Sequence, residues 1–272
     1  MIPAQRRPRF ARWFARQAEA RLRRSFGRVR LLGLSHLREA SAAGPVLVVS
    51  NHASWWDPLV ALWLTNRVLA LEAYALMDAA NLRRLPFFGP AGAVGVDLAD
   101  PRDGARVLRH LAGLLRAPGQ LVWVFPQGRE QPADAPLQFE AGAAAVARTA
   151  GAAVRVLPIA LRYEHGHEAR PWAWISVGAP LPAVERRAGL AATADLQAEA
   201  VAAELTRLAS AIRDLADANV AHRSAAGGSA AARDGTGPAP AAAAEDLLVT
   251  RHDEGGLASW VLARWTGRPA ES

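Results

Sequence analysis

The residues best placed to do chemistry are His52 and Asp57, in the run Asn51-His52-Ala53-Ser54-Trp55-Trp56-Asp57. A neutral imidazole accepts a proton near pH 7. A carboxylate on its second nitrogen fixes the tautomer and stabilises the imidazolium. General-base help of this kind is worth about 10²–10⁴-fold in rate. With 7 His and 12 Asp in 272 residues, chance supplies roughly 0.3 pairs at this spacing. Taken alone, the pair reads equally well as a capping Asp57 and a hydrogen-bonded structural His52.

The residues that are missing narrow the chemistry. The chain has no Cys and no Lys, and all 32 basic side chains are Arg. Disulfides, thiolate nucleophiles, Cys-zinc sites, a P-loop lysine and Schiff-base catalysis are excluded. There is no G-x-S-x-G, so the expected step is direct attack by a substrate hydroxyl on an activated carbonyl. No metal is implied. Glu164-His165-Gly166-His167-Glu168 is polar, contains Gly and follows a strand, so it reads as an exposed loop.

The elements around the pair follow a β/α pattern. Val46–Ser50 is a continuous apolar strand, as in a sheet covered on both faces. His52 and Asp57 follow its end, where open α/β sheets place their sites. Asp57-Pro58 looks like a cap and a first-turn proline opening a helix to about Leu71. A strand follows near Ala73–Met77, then a loop over Phe87–Gly92 and a strand at Ala93–Val96. Asp100-Pro101 repeats the cap signal before a helix to about Arg116. Gln120–Phe125 is a buried strand and Phe139–Ala150 a helix. Val154–Tyr163 is a strand interrupted at Pro158, which suggests an edge, a bulge or a strand start. Trp172–Val177 is a strand, and a long helix runs from Thr193 to about Asn219. The expected fold is α/β: one domain, residues 31–222, with a mostly parallel central sheet flanked by helices. An N-terminal amphipathic helix precedes it. Residues 223–244 are rich in Ala, Gly, Ser and Pro and read as a flexible linker. Residues 245–272 form a short amphipathic tail.

Charge is concentrated at one end. Residues 1–30 hold ten Arg and one acid, Glu19, for +9. The whole chain is +7, which leaves −2 for the other 242 residues. Phe10, Trp13, Phe14, Ala18, Leu22 and Phe26 fall at helical spacing. The expected partner is an anionic membrane surface, bound by residues 1–30 lying in the interface. A helix packed on its own domain and nucleic-acid binding are the competing readings. The membrane is favoured over nucleic acid because Trp and Phe share one face. The longest apolar stretch, Leu59–Met77, is broken by Asn66, Arg67 and Glu72. No segment has the 20 or so mainly apolar residues of a spanning helix, and the N-terminus is too rich in Arg for a secretory signal. The expected location is the cytoplasmic face of the cell membrane, as a peripheral protein.

Three further segments stand in order after the His-Asp run. They are Phe88-Gly89-Pro90-Ala91-Gly92-Ala93-Val94-Gly95-Val96-Asp97, then Val124-Phe125-Pro126-Gln127-Gly128-Arg129, then Val156-Leu157-Pro158-Ile159-Ala160. Together the four resemble the blocks of the glycerophospholipid acyltransferase family, typified by 1-acylglycerol-3-phosphate acyltransferase: N-H-x-S-x-x-D, G-x-I-x-x-D-R, F-P-E-G-T-R and V-x-P-V. Phe139–Ala144 and Ile175–Pro182 are also similar to the family, and the resemblance covers about residues 30–220. It implies transfer of a fatty acyl group from acyl-CoA or acyl-carrier protein to a lipid hydroxyl, with no cofactor. His52 would be the base and Asp57 its orienting partner. Phe125, Pro126, Gln127, Gly128 and Arg129 would bind the acceptor, and Pro158 would shape the site or the acyl pocket. Trp55 and Trp56 would line the acyl path or pack the first helix.

The departures from the pattern fall where the acceptor's phosphate is expected. Leu98 replaces the second-block Arg, Gln127 replaces Glu, and Arg129-Glu130 replaces Thr-Arg. Arg129, Arg102 or Arg106 would have to supply the charge, and guanidinium recognition of phosphate is directional. The leading acceptor is of the lysophosphatidic acid type. The alternatives are a neutral acceptor, such as a glycolipid or glycosylated terpenoid, and a non-catalytic membrane-binding module.

Overall fold

The computed structural model describes residues 1–97, 99–165, 169–226 and 245–249, with side chains up to residue 218. The chain opens with α1 (Pro8–Ser25), β1 (Arg28–Leu32), α2 (Leu34–Ala43) and β2 (Val46–Ser50). Next come α3 (Asp57–Trp63), which runs on into a π-helical turn (Leu64–Val68), then β3 (Glu72–Asp78), α4 (Ala79–Arg84), α5 (Phe88–Ala91) and β4 (Ala93–Val96). After α6 (Pro101–Leu114), β5 (Gln120–Val124) and α7 (Gly142–Ala150) come β6 (Arg155–Glu164), β7 (Trp172–Val177), α8 (Leu190–Ala226) and β8 (Glu245–Val249).

The strands form one sheet of order β4-β3-β5-β2-β6-β7-β1-β8. The five strands from β4 to β6 are mutually parallel. β7 turns antiparallel to β6, β1 lies parallel to β7, and β8 runs antiparallel to β1. This is the α/β, mostly parallel sheet expected. The alternation of β2 shows how it is covered. Val46 and Val48 face a core built with α1, α2 and α3, whereas Leu47 and Val49 face a core built with α6, α7 and α8. A strand buried on both faces has no polar side to show, hence the unbroken Val-Leu-Val-Val.

Several elements differ from the sequence reading. The basic N-terminal helix stops at Ser25, where the Phe26 N–H bonds to the Leu22 carbonyl. Residues 28–32 then join the sheet, so the expected boundary between residues 30 and 31 falls inside β1. The period changes from helical to alternating at Arg28: Val29 and Leu31 point into the α1 side, and Arg-rich composition masks the switch. Most of the apolar face of α1 is also spoken for. Phe14, Ala15, Ala18 and Leu22 are buried in the core of their own domain. The expected loop at Phe87–Gly92 contains the one-turn α5. The helix expected to Leu71 is regular only to Trp63 and then widens into the π turn.

β6 is an interior strand and runs through Pro158 without a break, against the expectation of an edge or interruption. The Pro158 carbonyl accepts from the Gly178 N–H at 2.9 Å, one residue past the last β6–β7 pair, Ile159–Val177. A strand residue directs its N and C=O to the same neighbour, so the missing N–H lies where β7 has already ended. At the far end, α8 includes residues 223–226 of the expected linker, and residues 227–244 lie outside the described ones. Residues 245–249 of the expected amphipathic tail are strand β8; residues 250–272 lie outside the described ones.

Candidate active site

The site begins where β2 runs out. Asn51, buried, clamps the strand end to β6: its Nδ2 donates to the Leu161 carbonyl at 2.9 Å, and its Oδ1 accepts from the Leu161 N–H at 2.8 Å. His52 then leaves the sheet at its carboxyl edge. Its Nδ1 lies 2.7 Å from Asp57 Oδ2, which also accepts the backbone N–H groups of Ala53 at 2.7 Å and Ser54 at 2.9 Å. Asp57 is completely buried. It is the first residue of α3, but its carboxylate turns back onto the preceding turn and does not cap its own helix. With Nδ1 on the carboxylate, Nε2 is the nitrogen left for substrate, and the His52 side chain keeps 18% of its surface accessible.

The third block grips His52 from the other side. The Phe125 ring stacks on the imidazole with centroids 4.5 Å apart and planes at 24°. Gln127 Oε1 accepts from the His52 N–H at 2.6 Å, and the Gln131 N–H donates to the His52 carbonyl at 2.8 Å. Gln127 therefore anchors the His52 backbone with a neutral amide oxygen. The buried Pro126 accepts through its carbonyl from Glu140 N–H, and Gly128 closes the turn onto the Phe125 carbonyl. The Gln131 amide lies between two donors, Gln127 Nε2 at 2.7 Å and Arg129 Nε at 2.9 Å, and its oxygen meets one in each of the amide's two orientations. Arg129 is exposed. Arg106 lies 3.6 Å from both Asp100 and Asp103, and Leu98 lies outside the described residues.

A residue the sequence reading missed completes the set. The Tyr163 hydroxyl donates to Asp57 Oδ1 at 2.6 Å. Burial first, and then the Asp57 charge and hydrogen bond, push the phenol well above its ordinary pKa. The signal was present only as a strand period: Ile159, Leu161 and Tyr163 share one face of β6.

An apolar groove opens beside the Phe125 ring, with an empty volume of about 450 Å³ including its mouth. Phe125 belongs to both, carrying the imidazole on one side and lining the groove on the other. Ala73 and Ala75 of β3, the π-turn residues Thr65 and Asn66, and Trp123 form much of its wall. The second block contributes Phe88, Ala91, Gly92 and Ala93. At Gly92, φ is +120° and a Cβ would stand 2.5 Å from the Ala73 carbonyl, so only glycine fits there. None of Trp55, Trp56 and Pro158 lines this groove. Trp56 packs edge-on against Phe26 at 4.9 Å, Trp55 stacks outside it at 4.1 Å, and the Pro158 ring abuts Gly178.

A model of the family described as "Acyltransferase" matches residues 28–162, from β1 to near the end of β6. The chain belongs to the acyltransferase family. That stretch contains His52, Asp57 and the Phe125–Arg129 loop; Tyr163 lies just beyond it. Among solved structures, the chain is similar to the 1-acyl-sn-glycerophosphate (LPA) acyltransferase PlsC from Thermotoga maritima, with a TM-score of 0.52 at 16% identity. The match covers 73% of this chain and 79% of PlsC, and the likeness is one of fold. No curated protein sequence matches the chain. Among the described residues, no helix is long and apolar enough to cross a membrane.

Proposed function

We propose that this member of the acyltransferase family moves a fatty acyl group from a thioester, acyl-CoA or acyl-carrier protein, to a lipid hydroxyl of the lysophosphatidic acid type. The observation that carries the reading is His52 held by a buried Asp57 at 2.7 Å, beside an apolar groove. Nε2 takes the hydroxyl proton as the acceptor oxygen attacks the thioester carbonyl. The tetrahedral intermediate then collapses, the C–S bond breaks, and the proton passes from His52 to the departing sulfur. Ester and free thiol are the products. The groove receives the acyl chain, whose burial is worth about 0.8 kcal/mol per methylene.

The acceptor reaches the site from a membrane. The outward stripe of α1 presents Arg9, Arg12, Trp13 and Arg16, with Trp13 44% exposed. Phe10 and Phe14 link Trp13 to Phe87 and Phe88, and Phe88 lines the groove. The chain in this reading sits peripherally on the cytoplasmic face. A neutral, sugar-bearing acceptor is the second reading, favoured by the engagement of Arg106 with Asp100 and Asp103 and by Gln127 in the third block. A panel of both acceptor types, presented with each donor and scored by thiol release, separates the two. Absence of release from every pair would support a non-catalytic membrane-binding module instead.

A further inference from the structure

Asp57 divides its two oxygens unequally. Oδ2 holds His52 and the turn that follows it through three donors, and Oδ1 accepts from Tyr163 alone among the described residues. The carboxylate has no surface open to water, so no solvent hydrogen bond stands in for the phenol. Tyr163 is itself tightly placed. The Asn51 clamp fixes Leu161 two residues earlier on β6, and the Phe26 ring stacks on the phenol at 5.4 Å and 28°. Trp56, edge-on to Phe26, closes the back of this seat.

We propose that Tyr163 is a positioning residue that sets the basicity of His52 through Asp57. Its hydroxyl fixes the carboxylate plane so that Oδ2 meets Nδ1, and it draws off part of the negative charge that the imidazole feels. The proposal rests on the general-base reading of His52. A base in a dry site must be neutral before it can accept a proton. A buried carboxylate with no second donor would raise the imidazole's pKa and leave more of it charged. Tyr163 limits that effect while keeping the tautomer fixed. Its raised pKa keeps it a donor throughout the working range. Other charged groups on the surrounding elements include Arg21 of α1, 5.9 Å from the Trp56 ring, Arg129 beside Gln131, and the Arg162–Glu164 pair at 2.6 Å on β6.

The test is the titration of His52 in the full-length protein, followed by NMR and assigned by its loss in His52→Ala. The pH profile of kcat/KM is measured alongside it. In Tyr163→Phe, the His52 titration and the acid limb should both move up by roughly one pH unit, and kcat should fall about tenfold. The chain has two tyrosines, so in a Tyr74→Phe background Tyr163 is the only one. Replacing it there with 3-fluorotyrosine, a stronger donor of nearly the same shape, should move the titration down relative to the same background with ordinary tyrosine. This second substitution carries the test if Tyr163→Phe does not fold. Opposite shifts support the proposal. A His52 titration that moves in neither protein overturns it and leaves Tyr163 a packing residue. Shifted titrations in a protein without turnover would instead discard the general-base reading and leave the coupling intact.

Discussion

His52 is held at four points, and each has a separate consequence. Asp57 fixes the ring through Nδ1, Phe125 fixes its face, and Gln127 and Gln131 fix its backbone N–H and carbonyl. The His52 N–H needs an oxygen and not a charge, and the neutral Gln127 amide supplies it. Gln127→Ala leaves that N–H without its partner, at a cost of about 1–3 kcal/mol. Urea unfolding should record this as a lower midpoint at unchanged m, together with a drop in kcat as the ring loses its backbone anchor. The His-Asp pair was legible because both residues sit in one seven-residue run. Tyr163 was not, because it lies 106 positions from Asp57 and meets it only when β6 pairs beside β2. Phe125 was expected as an acceptor residue, and its stacking on the imidazole depends on a ring orientation no spacing specifies.

Among the elements, β2 and β6 position His52 and Asp57, and β3, β4 and the π turn shape the groove. The groove is made by small side chains. Ala73, Ala75, Ala91, Gly92 and Ala93 leave space that larger residues would fill. In an Ala-rich chain such positions look like composition, so the groove was invisible in the sequence, and Trp55 and Trp56 drew attention instead. Ala75→Phe should fill part of the groove. In assays across acyl-donor lengths, the KM for long-chain donors should rise by at least about tenfold, since two displaced methylenes are worth about 1.6 kcal/mol. Short-chain donors should be little affected. Equal KM changes at every length would mean that the chain lies elsewhere. The parallel strands and long helices were readable from apolar runs and from the Asp-Pro signal at α6, where Asp100 does cap, accepting from Arg102 N–H at 2.9 Å. β1 and the reversal of β7 were not, because pairing direction is decided by long-range partners and not by local pattern.

At the scale of the whole molecule, the N-terminal charge acquires a direction. The apolar side of α1 is consumed by its own core, so its free face is the stripe Arg9, Arg12, Trp13 and Arg16. Glu19 is turned to Arg23 and Arg67 and does not neutralise that stripe. Each Arg near an anionic bilayer contributes about 1 kcal/mol. Replacing Arg9, Arg12 and Arg16 with Gln should therefore weaken binding to anionic vesicles by more than about 100-fold in flotation. High salt should weaken the unaltered protein in the same direction. Unchanged flotation of the triple variant would place the membrane contact away from α1. A chain of aromatic rings thus connects the basic stripe of α1 to Phe88 in the groove wall.

Thiol release tests the central claim most directly. The full-length protein is given acyl-CoA or acyl-carrier-protein donors and lysophosphatidic acid-type acceptors in anionic vesicles. One thiol should appear per ester formed, and His52→Ala should reduce kcat by about 10²–10⁴-fold at an unchanged melting temperature. Full activity in folded His52→Ala, or no release with any donor and acceptor, would contradict a His52-driven acyl transfer.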